Sequence, residues 1–223
     1  LVNRTIRERA GPWAGRRVLD VGCGDGSLLA SLLAEGVAGA VGVSPNLEEV
    51  ERLRDSRSGI EFRPGRLPRL DLAAGGFDVV VCNGVLLLLE DLAAAGAAVG
   101  EIARVAGPGA RVWIGEVPEV DEIAADGRDY GDSILRWLGH VLTHDGIGPF
   151  LRSARSVVRA AVGLQTMILH PKTCLAIPPD RMESTAREAG LSVVWKGRHV
   201  QPGPEGGVVG SLYRWDYLFE KAP

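Results

Sequence analysis

The stretch Val18-Leu19-Asp20-Val21-Gly22-Cys23-Gly24-Asp25-Gly26-Ser27 constrains this chain more than any other. An apolar run suited to a buried strand carries an acid near its end and then meets glycine at every second position. A leucine-bearing helical pattern follows, with leucines at 28, 29, 32 and 33 and Gly36 placed to stop it. Glycines so spaced let backbone approach a ligand closely, and the helix start offers unpaired N–H groups. A tight strand-to-helix turn with no ligand is the plainer alternative, and three alternating glycines after an acid weigh against it. A dinucleotide fingerprint would need its third glycine at position 27, where Ser27 stands, so the spacing disfavours a nicotinamide cofactor.

The first half of the chain continues this strand–helix rhythm, the mark of a parallel sheet covered on both faces. Strands are expected at residues 17–21, 40–43, 60–63, 77–82 and 111–114. Ser44-Pro45 reads as an N-cap and first helical residue opening a charged helix through Arg57. Residues 92–106 read as a helix closed by Gly107-Pro108-Gly109. After Pro118 the rhythm changes, with helical patterns at 134–142 and 150–162. A further helix follows Ile177-Pro178-Pro179-Asp180, and two consecutive strands, 192–200 and 211–220, are expected to pair antiparallel. The expected organisation is one α/β domain over residues 1–119 and 173–223, interrupted by a helical cap over 120–172. Such a cap would lie beyond the carboxyl ends of the strands, where open α/β sheets bind ligands.

Composition narrows the function. With 25 basic and 28 acidic residues the net charge is −3, and five Trp, three Tyr and four Phe supply few stacking platforms, which argues against a nucleic-acid partner. A hydrophobic share of 46% supports a sizeable core and excludes a disordered chain. The three cysteines, Cys23, Cys82 and Cys174, form no CxxC pair, so neither a disulfide framework nor a cysteine metal site is expected. The longest apolar run, residues 79–89, is too short to span a bilayer, and the first nine residues lack the apolar centre of a secretory signal. No membrane association and a reducing, cytoplasmic setting are expected. Because the chain does not open on Met, leading residues are expected to precede Leu1.

Asp20, Gly22, Gly24 and Gly26 occupy the four places of the D/E-x-G-x-G-x-G motif, and on these residues the chain resembles the class I S-adenosylmethionine-dependent methyltransferases. The resemblance extends over residues 15–117, through Phe77–Asn83 as the fourth strand and Ile102–Val112 as the helix, Pro-Gly turn and fifth strand, and more weakly over 178–220. It implies a doubly wound, seven-stranded, mostly parallel sheet and S-adenosyl-L-methionine as cofactor. The implied cofactor residues are Asp20, Gly22, Gly24 and Gly26, with Asn83 and Gly84 where the fourth strand exits. Two positions depart from the pattern. The acid that usually ends the second strand and holds the ribose hydroxyls is absent, leaving Ser44 and Asn46 as candidates. Gly65-Arg66 stands where an Asp usually meets the adenine amino group. Arg66 cannot accept that bond, so a backbone carbonyl or Asp71 would have to serve.

Methyl transfer needs a base only when the acceptor must lose a proton. His144, then His140, are the preferred candidates because both fall in the segment expected to close over the acceptor, although an ordinary polar helix face explains them equally well. Four residues apart, they could share a helix face, but no third ligand is suitably placed and no metal is expected. His170 reads as structural, and His199 is assigned no role. Cys23 and Cys82 read as packing residues. Trp137, Phe150 and Met167 are candidate acceptor-lining residues, and Arg152, Arg155 and Arg159 form a basic stripe usually found on a solvated face. The expected activity is O- or N-methylation of a small-molecule acceptor by a monomer or homodimer. The rival readings are non-methylating lyase or cyclase chemistry on the same fold, and a non-catalytic binding partner.

Overall fold

The computed structural model describes residues 1–120, 134–161, 174–202 and 207–223. The chain divides into two compact units, Leu1–Val120 with Leu175–Pro223, and Asp121–Cys174.

Seven strands form the first unit's sheet. β1 (Arg17–Val21), β2 (Gly39–Ser44), β3 (Glu61–Pro64), β4 (Phe77–Asn83) and β5 (Ala106–Pro118) run parallel. The hairpin β6 (Leu191–Pro202) and β7 (Val208–Lys221) completes it, with β7 antiparallel to both of its neighbours. The order β3-β2-β1-β4-β5-β7-β6 is the doubly wound arrangement expected from the sequence. It reverses direction between β1 and β4, which puts the crevice for a ligand at the carboxyl ends of those two strands.

The period-two geometry of a strand sorts each apolar run into two cores. Val79 and Val81 of β4 join one cluster, and Val80 and Cys82 join the other. On the first face lie α1 (Val2–Ala10), α2 (Ser27–Leu33) and α3 (Leu47–Ser56), contributing Ile6, Leu29 and Leu53 beside Trp113 and Leu218. On the second lie α4 (Leu92–Val105) and α7 (Pro179–Glu188), with Ile102 and Met182 beside Tyr217 and Phe219. The same alternation puts Asp20 on the α1–α3 face, between Leu19 and Val21, which point the other way.

Several boundaries differ from the sequence reading for local reasons. Ser44 completes β2, where it pairs with Pro64 and its carbonyl accepts from Gly65 N, so it is committed to the sheet. Asn46 caps α3 instead, its Oδ1 accepting from Glu49 N at 3.2 Å. The fifth strand starts at Ala106, directly out of α4, because the Gly107 backbone packs against Gly75 and Phe77, where a Cβ would lie 3.2–3.3 Å from their carbonyl oxygens. α1 is an element the sequence reading did not anticipate. It buries only Ile6 and Ala10, too sparse a stripe to register as periodicity.

The second unit contains α5 (Ile134–His140), a π-type turn over Val141–Asp145 and α6 (Ile147–Ala161). Val141 is buried and Phe150 half-buried, and Arg152 and Arg155 are exposed. His140 and His144 fall on this backbone. Their side chains, those of Trp137 and Arg159, and all of Met167 and His170 lie outside the described residues. Among the described residues no helix is long and apolar enough to cross a membrane.

Leu19, fully buried at the centre of β1, is a direct test of this core. Leu19→Ala is expected to lower unfolding free energy by about 2–5 kcal/mol. Leu47→Ala, on the exposed start of α3, is expected to change it by less than about 0.5 kcal/mol. Urea unfolding midpoints of the two variants check both.

Candidate functional site

The exit from β1 is a succession of left-handed glycines, with φ of +80° at Gly22, +49° at Gly24 and +69° at Gly26. Gly22 and Gly26 are glycine for two reasons. A Cβ at Gly22 would meet Val85 Cγ2 at 2.4 Å, and one at Gly26 would meet Phe62 Cζ at 3.0 Å. At Gly24 only the conformation is demanding, since a Cβ there meets no atom within 4 Å. Gly24 therefore presents bare backbone to open space. The turn is anchored to β2 by Gly22 N and Cys23 N, which both donate to Val43 O at 2.8 and 3.1 Å. It is tied to α1 by Asn3 Nδ2, which donates to Ser27 Oγ at 3.0 Å.

Asp20 lies beneath this turn, 5% exposed. Burial alone pushes its carboxyl up to about 7 from an ordinary 3.8, and among the described residues no cation stands against it. A buried acid without a cation is a costly thing to keep, and it suits a ligand that brings positive charge. Cys23 is no nucleophile. Burial, reinforced by the charges of Asp20 and Glu49, pushes its thiol up to about 12. Cys82 is fully buried in β4 and also shifted upward by burial.

At the carboxyl end of β2 the structure supplies an acid that the sequence reading missed. Ser44, 2% exposed, donates its hydroxyl to Glu49 Oε2 at 2.6 Å and accepts from Asn46 N at 3.2 Å. Asn46 in turn holds Glu49 N. Ser44 and Asn46 thus both bond to Glu49, and they hold its half-buried carboxylate at the end of β2. Its other oxygen, Oε1, lies 3.9 Å from the guanidinium of Arg52, a loose surface contact. Asn46 and Arg66 are both exposed, and Arg66 sits in a turn beyond β3 where its carbonyl accepts from Arg69 N.

Asn83 and Gly84 lie beside the glycine turn, since Val21 of β1 pairs with Cys82. Asn83 Nδ2 donates to Glu116 Oε2 and its Oδ1 accepts from Trp113 Nε1, both at 3.3 Å. Glu116 is held at φ +61°, rare for a residue with a side chain and costing on the order of 1–3 kcal/mol. Three contacts hold it there. Its N–H donates to Asp216 Oδ1 at 2.8 Å, and its carboxylate accepts from Asn83 and from Arg214 Nη1. Asp216 Oδ1 also meets His199 Nδ1 at 2.9 Å, with both residues buried. An acid set between Trp215 and Tyr217, in the stretch Trp215–Phe219 that is apolar apart from it, was the sequence signal for this group.

The structure thus brings Asp20, Gly22, Gly24, Gly26, Ser44, Asn83 and Gly84 to one edge of the sheet and leaves Arg66 at its margin. His140 and His144 belong to the other unit and take no described part in this edge.

The methyltransferase-domain family matches residues 19–114, from β1 into β5. A ubiquinone biosynthesis O-methyltransferase of Pseudomonas aeruginosa is 30% identical over 202 residues, covering 82% of this chain and 83% of the relative. A protein of the same description from Bordetella avium is 36% identical over 91 residues. That match spans 39% of this chain and 37% of the relative, so the likeness there covers well under half of its length. Among solved structures, magnesium protoporphyrin IX methyltransferase from Synechocystis PCC 6803, with bound S-adenosylhomocysteine, superposes with a TM-score of 0.59 at 15% identity. It covers 99% of this chain and 83% of that one, a likeness of fold. The chain belongs to the class I S-adenosylmethionine-dependent methyltransferases.

Proposed function

We propose that the protein transfers a methyl group from S-adenosyl-L-methionine to a hydroxyl of a small-molecule acceptor. The observation that carries this reading is the open backbone of Gly24 above the cation-free carboxylate of Asp20, with a second carboxylate, Glu49, at the end of β2. When bound, the cofactor supplies a methyl carbon activated by a positively charged sulfur. Gly22, Gly24 and Gly26 would let it approach the backbone, and Asp20 would offset its positive charge. Glu49, oriented by Ser44 and Asn46, would accept hydrogen bonds from its ribose hydroxyls. Charge-assisted bonds of this kind are roughly twice as strong as neutral ones, so Glu49 restores what an unaided Ser44 would lack. Asn83 and Gly84 would form the floor beside the reacting groups. A hydroxyl acceptor is in keeping with the relatives described as O-methyltransferases.

Calorimetric titration tests the assignment. S-adenosylmethionine and S-adenosylhomocysteine are expected to bind with micromolar Kd, and NADH is expected not to bind. Silence from both adenosyl ligands would overturn the reading. Glu49→Gln is expected to weaken both about tenfold through loss of charge-assisted bonds. Gly24→Val is expected to abolish binding by placing a side chain in the open approach.

Asp20 also sets a pH dependence for the ligand-free protein. Its folded-state value, about 7, lies above the ordinary 3.8. Below about pH 4 both folded and unfolded chains carry the proton and no penalty exists. Between about pH 4 and 7 the unfolded chain releases it first, so stability falls by on the order of 4 kcal/mol and stays lowered above that range. Asp20→Asn is expected to remove this component of the pH dependence in denaturant titrations between pH 4 and 8. A decline in the variant as steep as in the parent would show that other groups cause it.

A further inference from the structure

Asn83 leaves β4 directly beside the glycine turn. β1 and β4 are neighbours and Val21 pairs with Cys82, so Asn83 is level with Gly22. One strand spacing, about 4.8 Å, separates the two. Val85, two residues further on, fills the space that a Cβ on Gly22 would need. Alternation along β4 puts Asn83 on the side of Val79, Val81 and Trp113, which is also the side of Asp20. On its other flank Asn83 pairs with Gly115 of β5. The missing side chain there makes room for a polar contact: a Cβ on Gly115 would overlap Asn83 Oδ1 and lie 2.5 Å from Trp113 Nε1.

The two partners of Asn83 fix which way its amide faces. An indole Nε1–H can only donate, so the atom that Trp113 meets at 3.3 Å is the amide oxygen. Glu116, ion-paired with Arg214, is a carboxylate and can only accept, so the atom it meets at 3.3 Å is the amide nitrogen. Each bond forbids the flipped amide. Trp113 is itself held, being fully buried with its ring stacked on Trp195 at 5.7 Å between centroids. The Arg9 guanidinium lies over Trp195 in turn, 4.8 Å from its ring centre. Asn83 is half-buried, and one N–H of its amide has no partner among the described residues. The result is a hydrogen-bond donor of fixed orientation next to the glycine turn.

We propose that Trp113 and Glu116 are positioning residues of the cofactor site: by fixing both ends of the Asn83 amide, they direct its remaining N–H to the carboxylate of the cofactor's amino-acid end. The inference rests on the methyl-transfer reading above, in which the ribose meets Glu49 over β2. A ligand that crosses the glycine turn from β2 has its amino-acid end on the β4 side of β1, where Asn83 stands. Of the two charged groups at that end, the ammonium suits the acid Asp20. The carboxylate suits an amide donor, in a charge-assisted bond. Neither Trp113 nor Glu116 has to touch the ligand. The left-handed conformation at Glu116 then has a use, since it turns the carboxylate that holds Asn83 in place.

Calorimetry with two probes tests this: S-adenosylhomocysteine, which carries the amino-acid end, and methylthioadenosine, which lacks it. Asn83→Leu, close in volume but without the amide, is expected to weaken S-adenosylhomocysteine about tenfold and to leave methylthioadenosine unchanged. Trp113→Phe keeps a ring against Trp195 and removes the N–H. It is expected to weaken S-adenosylhomocysteine about fivefold in the parent, and to add nothing on top of Asn83→Leu. The same pattern is expected of Glu116→Gln. Additive losses, or an equal loss of methylthioadenosine affinity, would make the role of these residues structural only and overturn the proposal. Should Trp113→Phe not fold, 15N NMR of the parent decides, with Asn83→Leu used to assign the Asn83 side-chain amide. S-adenosylhomocysteine is expected to move one of its N–H signals and methylthioadenosine to leave both in place. An Asn83 amide unmoved by bound S-adenosylhomocysteine overturns this inference alone, whereas failure of both adenosyl ligands to bind overturns the methyl-transfer reading with it.

Discussion

The space a side chain would need at Gly22 is filled by Val85 Cγ2, 2.4 Å from where a Cβ would stand, and much of the first unit's functional edge depends on that exclusion. The chain can leave β1 only through left-handed turns, and Gly22 N and Cys23 N then both reach Val43 O. Those two bonds hold the turn against β2. They bring Asp20, the β2 end and the start of α2 together, and the bare backbone at Gly24 opens where the sheet order reverses. A bulkier residue at 22 would displace Val85 and with it the exit of β4, where Asn83 and Gly84 sit.

Charge is distributed along this edge in two ways. Over β1 and β2 the acids meet little positive charge among the described residues: Asp20 is buried without a cation there, and the arginine nearest Glu49 in an ion pair is exposed and 3.9 Å away. Over β5 and β7 the acids are engaged. Glu116 is tied to Arg214 and Asn83, and Asp216 to His199 and a backbone N–H. The first half thus leaves its acids largely uncompensated among the described residues, and the second is a bonded network of its own. Buried polar groups are costly unless bonded, and the bonds among Asn83, Glu116, Asp216 and His199 hold that part of the edge in its geometry.

The fold was readable from the sequence because its signals are local. Alternating glycines mark the β1 exit, and uninterrupted apolar runs such as Phe77–Cys82 mark strands buried on both faces. Two consecutive strand patterns near the carboxyl end gave the antiparallel hairpin. The site was readable only where it, too, is local. Asp20 and the glycines could be named from spacing, whereas Glu49 could not, because its carboxylate returns to Ser44 across a helix cap whose position the Ser44-Pro45 pair disguised. His199 and Asp216 are 17 residues apart, and their meeting requires the register of β6 on β7 with its shifts between Val193 and Trp195 and between Arg198 and Val200. A shift of one residue in a strand turns a side chain to the other face, so no reading of spacing alone could have placed them together.

The strain at Glu116 follows from the same register. Between Ile114 and Val117 the β5–β7 pairing slips, and the slip is absorbed by a residue in the left-handed region rather than by a glycine. Gly115, one position earlier, would adopt such a conformation more cheaply, but it is needed bare to let Asn83, Trp113 and Asp216 converge. The cost therefore falls on Glu116, whose N–H is turned to Asp216 and whose carboxylate is turned to Asn83 and Arg214. A glycine at 116 would relieve the backbone but leave Asn83 and Arg214 without their carboxylate. The strained turn is thus what couples the end of β4, beside the glycine turn, to the hairpin that carries His199.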